Sequence, residues 1–226
     1  MGEYFNWVNV DRREYICPSD FDFGSKYHES MHIGNTFLKA LRTLLSTEWK
    51  GCRILFLGDE GENPGRSSTG VLASLQEQTE LYDPKGHYFD MICETYRNVS
   101  GLFHEAESEV RKEISYYLED YRQGPNNDLP NEYGIDIENP FKGLFLKTGR
   151  DFLYTINETK KVYYALGLTK VYGNTGIELL DVDPLPMLMG YGRVAEPALW
   201  LGDIIRVSDE PELEYALLEE VHIQSW

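Results

Sequence analysis

The sequence predicts an α+β fold: a duplicated, mainly antiparallel β unit with a helical block inserted between the copies. Three observations carry this reading. Two pairs of matched motifs recur in the same order, the middle of the chain has helical periodicity, and the composition suffices for a sizeable core. Val8-Asn9-Val10-Asp11-Arg12-Arg13-Glu14-Tyr15 aligns without gaps on Ile156-Asn157-Glu158-Thr159-Lys160-Lys161-Val162-Tyr163. Trp49-Lys50-Gly51, then Arg53-Ile54 and Asp59-Glu60, resembles Trp200-Leu201-Gly202, then Ile204-Ile205 and Asp209-Glu210. The chain holds only four Trp, and two of them open this second motif. Either match alone is within chance; both in order, at similar separation, point to a repeated unit.

Each first motif reads as a β-hairpin. Aromatic and β-branched residues at 4–9 give way to a polar stretch and resume at Tyr15-Ile16, and 152–157 with 161–166 repeat that shape. The Asn of each copy can seed the turn by bonding its own backbone two residues on. The Trp motifs read as loops entering short strands, Ile54–Leu57 and Ile204–Val207. Between hairpin and strand in the first copy, Phe37, Leu38, Leu41, Leu44 and Leu45 fall at helical spacing, with Asn35 or Thr36 as the cap. Three further helical stripes follow. The first joins Val71, Leu72, Leu75 and Tyr82, the second Tyr88, Ile92, Tyr96 and Val99, and the third runs from Phe103 to Tyr121. Residues 123–140, rich in Pro and Asn, read as a linker or long loop. The organisation is then a first repeat at 1–66, a helical insert and linker at 67–140, and a second repeat at 141–226. One core is shared, because each copy alone is near the lower size limit for stability.

The 226 residues carry 38 acids against 21 Lys and Arg, a formal charge of −17, with 42% hydrophobic and 13% aromatic residues. So apolar and aromatic a chain is not a disordered acidic tail. Mean hydropathy is −0.44, and no apolar run approaches a membrane span of about 18 residues. The opening Met1-Gly2-Glu3-Tyr4-Phe5-Asn6 lacks the basic and apolar regions of a secretory signal. Cys17, Cys52 and Cys93 are too few and too scattered for a disulfide framework or a metal knuckle, so a cytoplasmic setting is expected. Strong negative charge argues against nucleic acid and for a cationic partner. The acid is concentrated: residues 101–138 and 208–220 together supply −13 of the −17.

Candidate chemistry is sparse. His28-Glu29-Ser30-Met31-His32 spells H-E-x-x-H. On a helix that spacing puts His28 and His32 on one face to hold zinc, with Glu29 as general base of a hydrolase. No third ligand is specified, however, and the second copy has no counterpart. Gly58 to Ser68 follows a strand and precedes a helix, as a phosphate loop does, but it lacks the G-x-x-x-x-G-K-[ST] residues and carries three acids. No G-x-S-x-G elbow occurs. Acids beside Tyr and Leu are better candidates for a protein-binding surface: Asp209, Glu210, Glu212 and Glu214 in one set, Glu105, Glu107 and Glu109 in another, the latter followed by Tyr116, Tyr117 and Tyr121.

Met1-Gly2-x-Tyr4, then Val8-Asn9-x-Asp11-Arg12-x-Glu14-Tyr15-Ile16-x-Pro18, then Trp49, Gly51, Ile54, Gly58 and Asp59 resemble an uncharacterised family of bacterial and fungal proteins. Its members open M-G-x-Y…V-N-x-D-K-x-E-Y-I-x-P and continue to W-x-G-x-x-I…G-D. The resemblance spans roughly the first sixty residues. It implies a shared fold and no catalytic activity, and the family string has no obligate H-E-x-x-H. The sequence therefore favours a non-enzymatic, cytoplasmic, acidic binding protein without cofactor. Its concrete form is an immunity protein that neutralises a cationic toxin domain. A zinc-dependent hydrolase and a structural or regulatory module are the other readings.

Overall fold

The computed structural model describes residues 3–23, 26, 29–61, 70–83, 87–123, 132–193 and 198–223. The fold is α+β, with five α-helices and three sheets among the described residues. Strands β1 (Phe5–Asn9) and β2 (Glu14–Ile16) form the first hairpin. Helix α1 (Thr36–Ser46) follows, capped by Asn35, whose side chain accepts from the Leu38 amide. Then come β3 (Ile54–Gly58), α2 (Gly70–Tyr82), α3 (Tyr88–Thr95), the two-residue β4 (Arg97–Asn98) and α4 (Glu107–Gln123). The second hairpin is β5 (Tyr154–Asn157) and β6 (Val162–Ala165). It is followed by β7 (Lys170–Tyr172), β8 (Glu178–Leu179), the short α5 (Leu185–Met189) and β9 (Gly190–Tyr191). Strands β10 (Ile205–Ser208), β11 (Ala216–Leu217) and β12 (Glu220–His222) close the chain.

The first sheet has the order β4-β2-β1-β3-β9, the second β10-β5-β6-β11 and the third β12-β7-β8. In both larger sheets an antiparallel three-stranded centre takes a short parallel strand onto its hairpin. The local bonding recurs from one sheet to the other. Asn9 Oδ1 accepts from the Arg12 amide at 3.0 Å, and Asn157 Oδ1 from the Lys160 amide at 2.8 Å. The next residue of each turn, Arg13 or Lys161, has φ of 53° or 57°. Asn9 faces Ile54 and Asn157 faces Ile205. The Trp turns are built alike: the Cys52 amide donates to Trp49 O at 3.1 Å and the Asp203 amide to Trp200 O at 2.9 Å, around Gly51 (φ 79°) and Gly202 (φ 74°). Tyr15 pairs with Asn98 as Tyr163 pairs with Leu217. The two sheets meet at an antiparallel bridge between Arg53 and Ile204, which occupy the same place in each series.

Side chains from both sheets and from α1, α4 and α5 fill one apolar core, with Trp7, Phe56, Trp49, Val110, Tyr164 and Trp200 among its members. Helix α1 packs against β10, and α5 packs against β3. A buried polar knot joins these layers. The Arg42 guanidinium pairs with Asp183, donates to Thr155 Oγ1 at 2.9 Å, and the Tyr164 hydroxyl donates to Asp183 at 2.5 Å. With these partners the buried charges are matched. A second apolar cluster covers the other face of the first sheet: Val8, Tyr15 and Leu55 lie under Val71, Leu75, Tyr88 and Ile92 of α2 and α3.

Some boundaries differ from expectation. The stripe from Tyr88 to Val99 is helical only to Thr95, because Arg97 and Asn98 leave it to pair with Glu14 and Tyr15. The helical block is thus interrupted by a strand of the first sheet. Phe103 bridges in parallel to Lys147, and His104–Ala106 form a 3-10 turn ahead of α4 rather than its first turn. Of the expected linker, 124–131 lies outside the described residues; Glu132 and Tyr133 dock against the first sheet and α4.

Candidate functional site

Residues 29–31 form a single 3-10 turn, and the chain turns again at Ile33-Gly34. The α-helical geometry that would stack the two His of H-E-x-x-H is therefore not formed over these residues. His28 lies outside the described residues. Glu29 accepts from the Lys26 amide at 3.1 Å, and His32 bridges to Val182. Among the described residues no group of three His, Cys, Asp or Glu stands ready for a metal. Most of the acidic loop after β3, residues 62–69, lies outside the described residues. Burial pushes the Cys17 and Cys93 thiols up to about 12, so neither is a thiolate at neutral pH.

The two acidic sets have different surroundings. Glu105 accepts from the Gly149 amide at 2.8 Å, which ties the start of α4 to the strand-side chain. Glu107 pairs with Arg111 at 2.7 Å and Glu109 with Lys112 at 2.6 Å. The Arg111 and Lys112 bonds hold both carboxyls below their usual range. All three acids sit in or next to the first turn of α4, where the helix dipole favours negative charge. This set is occupied with folding. Of the tyrosines beyond it, Tyr116 is exposed and stacks edge-on with Tyr117.

The second set lies on the loop between β10 and β11, folded over the outer face of the second sheet. Arg206 on that face pairs with both Glu158 and Glu212, and Asp209 pairs with Arg150. Burial works against charge on Glu158, but bonds from the Tyr215 hydroxyl and Arg206 outweigh it and lower its pKa. These contacts pin the loop at 209–215. Glu210, Glu214 and Glu219 remain exposed, with no salt bridge among the described residues.

Beside the pinned loop runs a groove of about 450 Å3. Tyr154 and Tyr163 line it, their rings 5.8 Å apart and edge-on. Leu168, Leu213 and Leu217 line it as well, together with Lys170, Glu219 and Glu220. Leu168, Leu213 and Leu217 are 71%, 87% and 48% exposed. Single exposed leucines are ordinary; three converging on two tyrosine rings inside the densest acidic stretch are not. Sequence reasoning found the acids at 209–214 with Leu213 among them, and missed Leu168, Leu217, Tyr154 and Tyr163, which the fold brings in from other segments.

A second cluster is buried where Asp20, in the 3-10 turn Pro18–Phe21, meets α4. The Tyr133 hydroxyl contacts both Asp20 Oδ1, at 3.1 Å, and Glu113 Oε2, while Asn98 Nδ2 donates to Asp20 Oδ2 at 2.9 Å. Burial pushes Asp20 up to about 7 in spite of these bonds. One hydroxyl proton serves only one carboxylate, so the second contact is best satisfied by a carboxyl proton.

No protein-family model, curated protein or solved structure matches this chain. No helix among the described residues is long and apolar enough to cross a membrane.

Proposed function

We propose that this is a non-enzymatic, cytoplasmic binding protein that occludes a cationic protein partner, in the manner of an immunity protein against a toxin domain. The observation that carries the reading is the contrast between the two acidic sets. Glu105, Glu107 and Glu109 are spent on local bonds, whereas Glu210, Glu214 and Glu219 stand unpaired around an exposed apolar groove. An acidic rim steers a basic partner and an apolar centre supplies the desolvated contact. We also infer that the two four-stranded units, β4-β2-β1-β3 and β11-β6-β5-β10, arose by duplication; their shared register and turn bonds support it.

The test compares two triple variants for binding to the product of the neighbouring reading frame by titration calorimetry. Glu210→Gln with Glu214→Gln and Glu219→Gln is expected to weaken the complex about tenfold or more and leave the thermal midpoint in place. Glu105→Gln with Glu107→Gln and Glu109→Gln is expected to lower the midpoint and leave binding intact. Unchanged binding by the first set overturns the proposal.

A further inference from the structure

Resting on the binding function above, we propose that the outer face of the second sheet seats one amphipathic helix of the partner, rich in Lys or Arg. Its apolar stripe would lie in the groove between Leu168 and Leu213. The argument comes from comparing the two units position by position. Register places Val8, Tyr15 and Leu55 of the first sheet where Ile156, Tyr163 and Arg206 stand in the second. In the first unit the chain between β3 and β4 supplies α2 and α3, which cover that face with Val71, Leu75, Tyr88 and Ile92. In the second unit the corresponding connection, from β10 to β11, is only residues 209–215 and contains no helix.

That short loop closes part of the face through Arg206 and Tyr215. The remainder is the groove, where helices lie in the first unit. Ile156 and Tyr163 are already buried, and what stays open is the rim of leucines around them, Leu168, Leu213 and Leu217. A helix suits the vacancy because helices already fill its counterpart. Positive charge suits it because Glu219 and Glu220 outnumber the one base in the lining, Lys170, and Glu210 and Glu214 stand on the flanking loop. The mode is a helix laid in a groove, with anchors at i, i+3, i+4 and i+7.

The probe is a peptide of about 18 residues, five helical turns, with Leu on one stripe and Lys elsewhere. Three controls accompany it: Ser for Leu at the same charge, the same composition with Leu and Lys alternating, and Glu for Lys. Binding is followed by amide chemical shifts of the labelled protein at about 0.01 M salt, where the Debye length is about 30 Å, and again at about 0.1 M. The helical Leu/Lys peptide is expected to bind and shift Leu168, Leu213, Leu217 and the β6 amides. The Ser and alternating peptides should bind about tenfold more weakly, and the Glu peptide not at all. Leu168→Ser and Leu213→Ser, both at exposed positions, should weaken the first peptide about tenfold without moving the thermal midpoint.

Equal binding of the Leu and Ser peptides, with no effect of the Leu→Ser variants, overturns the helix seat while leaving the acidic binding function standing. Failure of every cationic peptide to bind at low salt overturns both. Shifts at the groove that depend on protein concentration without peptide would assign the face to a second copy of this chain, and would also overturn the proposal.

Discussion

Asn9 and Asn157 perform the same turn-forming task with different support. Asn157 Nδ2 donates to Asp203 Oδ2 at 2.7 Å, and Lys160 Nζ reaches the same carboxylate at 2.8 Å. At the corresponding place in the first unit stands Cys52, and Asn9 Nδ2 is buried without a partner among the described residues. A buried unpaired amide costs about 1–3 kcal/mol. Asn157→Ala should therefore destabilise more than Asn9→Ala by about 1 kcal/mol, since it also strands Asp203. Cys52→Asp should stabilise by a similar amount by giving Asn9 an acceptor beside Arg12. Urea unfolding of the three variants checks both orders; equal losses for the two Asn variants would count against the comparison.

Asp20 makes a second prediction at this scale. Its carboxyl is pushed up to about 7 by burial, above its value of about 4 in an unfolded chain. Between those values the folded state holds a proton that the unfolded state has released. Stability is thus fullest below pH 4 as far as this group goes, and falls as pH rises to about 7. Glu132 and Glu3, also raised, act in the same direction. Asp11, Glu48 and Glu158, held low by their partners, act oppositely and lose their contribution in acid below about pH 4.5. The thermal midpoint should therefore peak at about pH 4–5, decline as pH rises to about 7, and level off above it. Asp20→Asn should flatten that decline whatever it does to the midpoint itself. A midpoint that rises from pH 5 to pH 8 would contradict the assignment.

Among the elements, the Trp turns show how alike local sequence meets different packing. Gly51 and Gly202 both take a left-handed φ, which costs a residue with a Cβ about 1–2 kcal/mol. A Cβ on Gly51 meets nothing within 4 Å, but one on Gly202 falls 2.6 Å from Val71 Cγ1 at the start of α2. Gly51→Ala is expected to cost about 1–2 kcal/mol. Gly202→Ala should cost clearly more, because it also pushes α2 off the second unit. Denaturant melts of both variants distinguish the cases, and equal costs would mean that α2 gives way freely.

The elements legible in the sequence were those marked by a local chemical signal. The Asn turns, the W-x-G turns, the Asn35 cap and the α2 stripe all carry such marks. The strands β4 and β11 carry none. Two residues are too short for periodicity, and both are strands only because a hairpin edge offers bonds to Arg97–Asn98 and Ala216–Leu217. The groove was illegible for a related reason. Leu168, Leu213 and Leu217 are remote from Tyr154 in sequence, and an exposed leucine has no pattern of its own until the fold gathers several.

For the whole molecule, one of the two acidic stretches and the less covered of the two large sheets fall together. The first unit is covered by its own helices, and its long connection from β3 to β4 spends apolar surface inside the chain. The second unit keeps a short connection, an acidic rim and a groove edged by exposed leucines. A net charge of −17 works against the compact state through self-repulsion, a cost offset if a partner uses the field. Rim charges act at long range and set the association rate, whereas the desolvated centre sets dissociation.

The salt dependence of the association rate with the proposed basic partner, for the native chain and for Glu210→Gln with Glu214→Gln and Glu219→Gln, bears on this most directly. The native rate should fall steeply between about 0.01 and 1 M salt, as the Debye length shrinks from about 30 to about 3 Å. The variant should start slower and fall less, with dissociation nearly unchanged in both. Parallel salt slopes for the two proteins would contradict a role for this face in capturing a cationic partner.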